Sequence, residues 1–134
     1  MKILIDTNVI LDHLTSRKPF DRDAADIFKL CETQQIKGYI SALSVPNIVY
    51  ILRKELDAVK IKKIIQILSL IFTIKELTTA DLIAAADMNF KDYEDALQSV
   101  AAAKIKADYI VTLNIKDFIN SPVPAITPTE FLLN

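Results

Sequence analysis

The chain contains a single glycine, Gly38, in 134 residues. Nucleotide-binding fingerprints need several glycines where backbone must approach phosphate, so neither a dinucleotide motif nor a P-loop is present. One cysteine, Cys31, excludes an internal disulfide. No apolar run approaches the ~20 residues of a membrane span, and the richest, Ile64 to Phe72, is broken by Gln66 and Ser69. At the N-terminus only Ile3, Leu4 and Ile5 separate Lys2 from Asp6, too few for the apolar core of a signal peptide. These absences lead to the expectation of a soluble, cytoplasmic protein with no membrane contact. An overall basic surface is lacking too: the net charge is −1 and the isoelectric point about 5.8, unlike many nucleic-acid binders.

What is present suits one folded domain, residues 1–134. The hydrophobic fraction is 51% and mean hydropathy +0.28, enough for one core and inconsistent with disorder. Ile3 to Ile5 reads as a strand buried on both faces. A helix follows with Val9, Ile10, Leu11 and Leu14 apolar, ending before Lys18-Pro19. Asp21 to Thr33 carries an apolar stripe at helical spacing. Gly38 is expected as a turn or helix stop before a strand Tyr39–Ser41. Ser44 is expected as the N-cap of a helix running to about Glu55, with Pro46 in its first turn. Further helices are expected over Ala58–Leu70, from a Thr79 cap through Met88, and from an Asp92 cap over Tyr93–Lys104. Phe72–Ile74 and Tyr109–Thr112 read as strands, the latter β-branched or aromatic throughout. A last strand near Ala125-Ile126 precedes a short helix. Strands separated by helices predict a three-layer α/β/α fold, Rossmann-like, with a mainly parallel sheet of four to five strands.

In such sheets ligands bind beyond the carboxyl ends of the strands, at the topological switch point. Asp6 follows the first strand, Ser44 and Asn47 the second, and Asn114 and Asp117 the Tyr109–Thr112 strand. Asp92 and Asp95 open a helix leading into that same strand. Each alone could be a helix cap or turn residue. Together they would repel one another unless a divalent cation neutralised them. Oxygen donors without a histidine or cysteine cluster suit Mg²⁺ or Mn²⁺ rather than zinc. His13, two turns beyond Asp6, is expected to be a surface or core residue. Two basic groups, Arg53 to Lys63 and Lys104, Lys106 and Lys116, could be solvated helix faces or local patches for phosphate.

Three blocks, "LIDTNVILDHL", "SALSVPNIVYILRK" and "DYEDALQSVAAAKIKADYIVTLNIKDF", together resemble the PIN domain over nearly the whole chain. The resemblance implies a metal-dependent ribonuclease on a Rossmann-like sheet, in small bacterial members often a VapC-type toxin held by an antitoxin and commonly a homodimer. By motif, Asp6, Asp95 and Asp117 would be catalytic metal ligands, with Asn114 at the same acidic position as Asp117. Asn8, Asn47, Thr112, Asp92 and Ser44 would support the site, and Arg53, Lys54 and Lys116 would contact RNA. Asn47 stands where the family usually has glutamate. It can ligate through its carbonyl oxygen but brings one negative charge fewer, and Glu55, two turns on, is about 12 Å distant. Two readings therefore stand side by side: a Mg²⁺- or Mn²⁺-dependent nuclease of single-stranded RNA, and a catalytically weak or inactive PIN-like domain that binds RNA or protein.

Overall fold

A computed structural model describes residues 1–134. Its sheet has the order β3-β2-β1-β4-β5, and every pairing is parallel. The strands are β1 (Lys2–Ile5), β2 (Lys37–Ser41), β3 (Thr73–Lys75), β4 (Tyr109–Val111) and β5 (Ala125–Ile126). The helices are α1 (Thr7–Leu14), α2 (Asp21–Glu32), α3 (Ser44–Leu52), α4 (Ala58–Ile71), α5 (Thr79–Ala86), α6 (Tyr93–Lys104) and α7 (Pro128–Leu133). The expected parallel α/β architecture is thus present, with five strands. No helix is long and apolar enough to cross a membrane.

Alternation along the strands distributes the core. Ile3 and Ile5 of β1, Ile40 of β2 and Val111 of β4 enter the larger hydrophobic cluster, with Ile27, Phe28, Ile48 and Leu68 from α2, α3 and α4. Leu4, Tyr39 and Ile110 point the other way, to Ala101 and Ala102 of α6 and to Phe118. The side chains of β1 from Ile3 to Ile5 are completely buried, each worth ~1.5–3 kcal/mol of transfer free energy. That explains why the first strand is apolar on both faces until the chain leaves the sheet. The polar run beginning at Asp6 marks that exit.

Several local expectations are corrected. Gly38 is not a helix stop: it lies inside β2, and α2 ends upstream, with Gln34 at φ 61° turning the chain. A Cβ at Gly38 would fall 2.5 Å from Cys31 Sγ and 2.8 Å from a Phe72 ring carbon, so glycine is required there by close lateral packing. Burial pushes the Cys31 thiol up to about 12. Ser44 is the first residue of α3, not its cap; the preceding Leu43 makes no side-chain capping bond. Thr78 rather than Thr79 caps α5, sharing a reciprocal capping box with Asp81. α3 stops at Leu52, and Asp117 lies within a 3₁₀ turn, Ile115–Phe118. His13 packs against Phe28 with ring centroids 4.2 Å apart, away from the strand ends; its burial lowers its pKa, only partly opposed by Asp21.

Candidate active site

β1 is flanked by β2 on one side and β4 on the other, so the switch point lies at the carboxyl ends of β1 and β4. Asp6 leaves β1 there and Thr112 leaves β4. Asp6 is both helix cap and site residue: its Oδ1 accepts from the Thr7 amide at 2.8 Å, as an N-cap does. The same oxygen accepts from Gln98 Nε2 at 3.2 Å, and Thr112 Oγ1 donates to Oδ2 at 2.8 Å. Each carboxylate oxygen has about two lone-pair positions. Oδ1 is therefore filled, and one position remains on Oδ2. Burial raises the Asp6 pKa against these hydrogen bonds, and the charge of Asp117 adds to the rise.

Gln98 was not among the residues expected from sequence. It is buried on α6, inside what reads locally as an alanine-rich helical face, and no local signal marks it. Its Nε2 also donates to Ser44 Oγ at 3.1 Å, and Thr7 Oγ1 donates to the same Ser44 oxygen at 2.7 Å. A carboxylate only accepts, so the contact with Asp6 fixes which end of the Gln98 amide is nitrogen. The buried network of Asp6, Thr112, Gln98, Ser44 and Thr7 locks the ends of β1 and β4 to the starts of α1 and α3 and to α6. Ser44 serves this network, which is why it does not cap its own helix.

In front of the network is a hollow of about 340 Å³. Asp6, Asn8, Asn47, Asp95 and Asn114 all line it, together with Glu94, Gln98 and the apolar rim residues Tyr50 and Ile51. The Oδ1 atom of Asn8 and the Oε1 atom of Gln98 are buried with no hydrogen-bond partner. Asp95 also lines an adjoining hollow of about 510 Å³ with Asp92, Lys116 and Asp117. The first turn of α6 supplies this carboxylate because Asp92 caps the helix, its side chain accepting from the Asp95 amide at 3.1 Å. The Asp95 carboxyl rises to about 7, first through burial and then through the charges of Asp92, Asp6, Asp117 and Glu94. Asp6, Asp95 and Asp117 thus feel one another's charge. No group of three or more His, Cys, Asp or Glu side chains is close enough to form a ready-made metal cage.

Asn47 Nδ2 reaches Glu94 Oε2 at 3.4 Å. The position lacking a carboxylate on α3 therefore faces one supplied by α6, a second residue absent from the sequence reading. Arg53 and Lys54 are exposed just past the end of α3. Lys104 is engaged within the fold: its Nζ pairs with Asp81 Oδ1 at 2.5 Å, with Lys75 Nζ 3.9 Å from Oδ2. Lys116 stays exposed beside Asp117.

A parallel sheet whose switch point gathers oxygen-only polar side chains defines a class: a Rossmann-like α/β protein with an acidic crevice suited to a hard cation. The chain belongs to the PIN domain family, whose profile, described as PIN domain, matches residues 2–116. That match ends just before Asp117, which lines the adjoining hollow with Asp92 and Asp95. Ribonuclease VapC1 of Aquifex aeolicus (strain VF5) is 30% identical over 135 residues, covering 97% of this chain and 92% of that protein. Among solved structures, VapBC2 from Rickettsia felis bound to a DNA fragment from their promoter matches with TM-score 0.73 at 15% identity, covering 95% of this chain and 98% of that one. DNA-bound VapBC from Salmonella typhimurium matches with TM-score 0.71 at 17% identity, covering 96% and 98%. At these identities the structural likeness establishes the fold.

Proposed function

We propose that this PIN domain is a divalent-metal-dependent endoribonuclease that hydrolyses phosphodiester bonds of single-stranded RNA, and that it is the toxin of a toxin–antitoxin pair acting in the cytoplasm. The observation that carries this reading is the hollow at the switch point lined together by Asp6, Asn47, Asp95 and Asn114, with Asp117 in the adjoining hollow that shares Asp95. Likeness to Ribonuclease VapC1 supports the activity, and likeness to VapBC complexes supports a protein partner, with a homodimer as the expected form of the chain itself.

The donor set fits Mg²⁺ or Mn²⁺: anionic oxygens in mutual repulsion, an open lone pair on Asp6 Oδ2, and no soft ligand. Asp6, Asp95, Asp117 and Asn114 would hold the ion. When bound, it supplies charge neutralisation on the phosphodiester and lowers the pKa of a coordinated water. The chain's own residues do the rest. Thr112, Gln98 and the Thr7 amide fix the Asp6 carboxylate in one orientation, so little reorganisation remains at the moment of reaction. Asp95, its carboxyl raised to about 7, holds a proton below that pH and is ionised above it, so a bound cation would compete with that proton. Asn8 lines the hollow beside Asp6, its Oδ1 buried and unpaired. No histidine base is required, because His13 lies elsewhere.

A second reading rests on Asn47. Its amide is turned to Glu94 and adds no charge, which favours a weak or inactive nuclease that binds RNA or protein. One experiment separates the two: incubation of highly purified protein with a broad single-stranded RNA panel and Mn²⁺. The nuclease reading requires cleavage that is abolished by a chelator and by Asp6→Asn or Asp95→Asn. Intact RNA throughout, with the protein folded and metal-loaded, leaves the binding reading.

A further inference from the structure

We propose that Tyr50, together with Arg53, forms a stacking platform that holds a base of single-stranded RNA beside the bond to be cut. The inference rests on the ribonuclease reading and adds to it a substrate-binding subsite. Tyr50 lies one turn after Asn47 on α3 and lines the same hollow as Asp6 and Asp95. Tyr50 is 58% exposed, so this large aromatic stands at the mouth of the crevice instead of filling the core. The Arg53 guanidinium lies over the Tyr50 ring, 4.1 Å from its centroid.

Electrostatics explain why such a platform is needed. The hollow carries Asp6, Glu94 and Asp95, which repel phosphate; a bound cation would neutralise part of that charge. Flanking nucleotides must be gripped from the rim, by groups that are neutral or positive. A tyrosine face is neutral and accepts any base, and arginine adds a cation–π contact and a phosphate contact. Lys54, exposed beside Arg53, extends the positive edge. Along α3 the rise from Asn47 to Tyr50 is ~4.5 Å, and Arg53 and Lys54 follow just past the helix end, an order that places a base and then a phosphate in succession away from the carboxylates. Stacking plus a short basic edge is how sequence-tolerant single-strand binders work, and it suits a chain with no overall basic surface.

The test is anisotropy of labelled oligouridylate and oligoadenylate, each about eight nucleotides long, with Asp6→Asn protein and Mg²⁺ present so that cleavage cannot intervene. Adding Tyr50→Leu should weaken binding roughly tenfold, while Tyr50→Phe should stay within about twofold. Arg53→Ala should weaken binding and reduce its salt dependence. Unchanged melting temperatures verify that these surface substitutions leave the fold intact. The proposal is overturned if Asp6→Asn protein binds neither oligonucleotide. It is equally overturned if Tyr50→Leu binds as well as its parent, including the case where that change disrupts only a protein complex. If Tyr50→Leu and Tyr50→Phe behave as expected while the unmodified protein cuts no RNA with Mn²⁺, the platform stands and only the cleavage reading fails.

Discussion

Replacing Asp95 by asparagine should stabilise the metal-free protein at pH 8 and leave it unchanged near pH 4. The Asp95 carboxyl is raised from 3.8 to about 7 by burial and four neighbouring acids. For an acid raised in this way, the stabilising contribution is complete below the unfolded value. It is lost as pH rises through the folded one. Above pH 7 the ionised group is therefore a net cost to the fold. The interval from 3.8 to about 7, at 1.36 kcal/mol per pH unit, caps that cost at about 4 kcal/mol. The side chain is partly solvated, and screening reduces the figure to ~1–2 kcal/mol. Asparagine also forfeits the favourable meeting of a carboxylate with the first turn of α6, ~0.5 kcal/mol. A net gain of ~1 kcal/mol remains, or ~3–5 °C in melting temperature for a chain of this size.

Calorimetry or circular-dichroism melts at the two pH values measure this gain directly. Mn²⁺ at a hundred times its dissociation constant should then add ~2.7 kcal/mol to the unmodified protein and much less to Asp95→Asn, reversing their order. Equal melting temperatures at pH 8 without metal, or a gain as large at pH 4, would refute the claim that these carboxylates share one crevice.

Three other substitutions probe separate parts of the structure. Thr112→Val, nearly isosteric, leaves a buried charged oxygen without its 2.8 Å donor; it should cost ~1.5–3 kcal/mol at neutral pH in denaturant melts and lower the cleavage rate, with Thr112→Ser restoring most of both. Asn47→Glu should tighten Mn²⁺ binding in titration calorimetry, while destabilising the metal-free protein because the new carboxylate meets Glu94; unchanged or weaker affinity would place residue 47 outside the ion's reach. Gly38→Ala should cost ~1–3 kcal/mol through overpacking against Cys31 and Phe72 and leave Mn²⁺ affinity intact, separating a core defect from a site defect.

Sequence periodicity and residue type were enough wherever a signal is local. The Tyr93–Lys104 helix and its Asp92 cap, the two-faced apolar strand of Ile3 to Ile5 and the β-branched strand at Tyr109 were all legible. The switch-point rule, which converts strand ends into positions, brought Asp6 and Asn114 to one hollow; Asp95, which opens a helix, was reached through the family motif, and Asp117 lines the adjoining hollow. What escaped depends on neighbours far along the chain. Gly38 resembles a helix stop until Cys31 and Phe72 are seen to press on its face. Ser44 resembles a cap until Thr7 and Gln98 engage its hydroxyl. Gln98 itself sits in a run of small residues, and only the distant carboxylate of Asp6 gives it a purpose. Glu94 passed unnoticed because its relation to Asn47 spans two helices. Lys104 looked like part of a basic group until Asp81 was found against it.

The sheet ends in strands of only three and two residues, β3 and β5. So little unpaired backbone lies along either border that another polypeptide has almost no ladder to extend. Self-association and capture by a foreign β-segment are thereby discouraged at both margins. The helical layers, by contrast, offer side-chain shape and charge rather than generic main-chain pairing as the basis for choosing a companion.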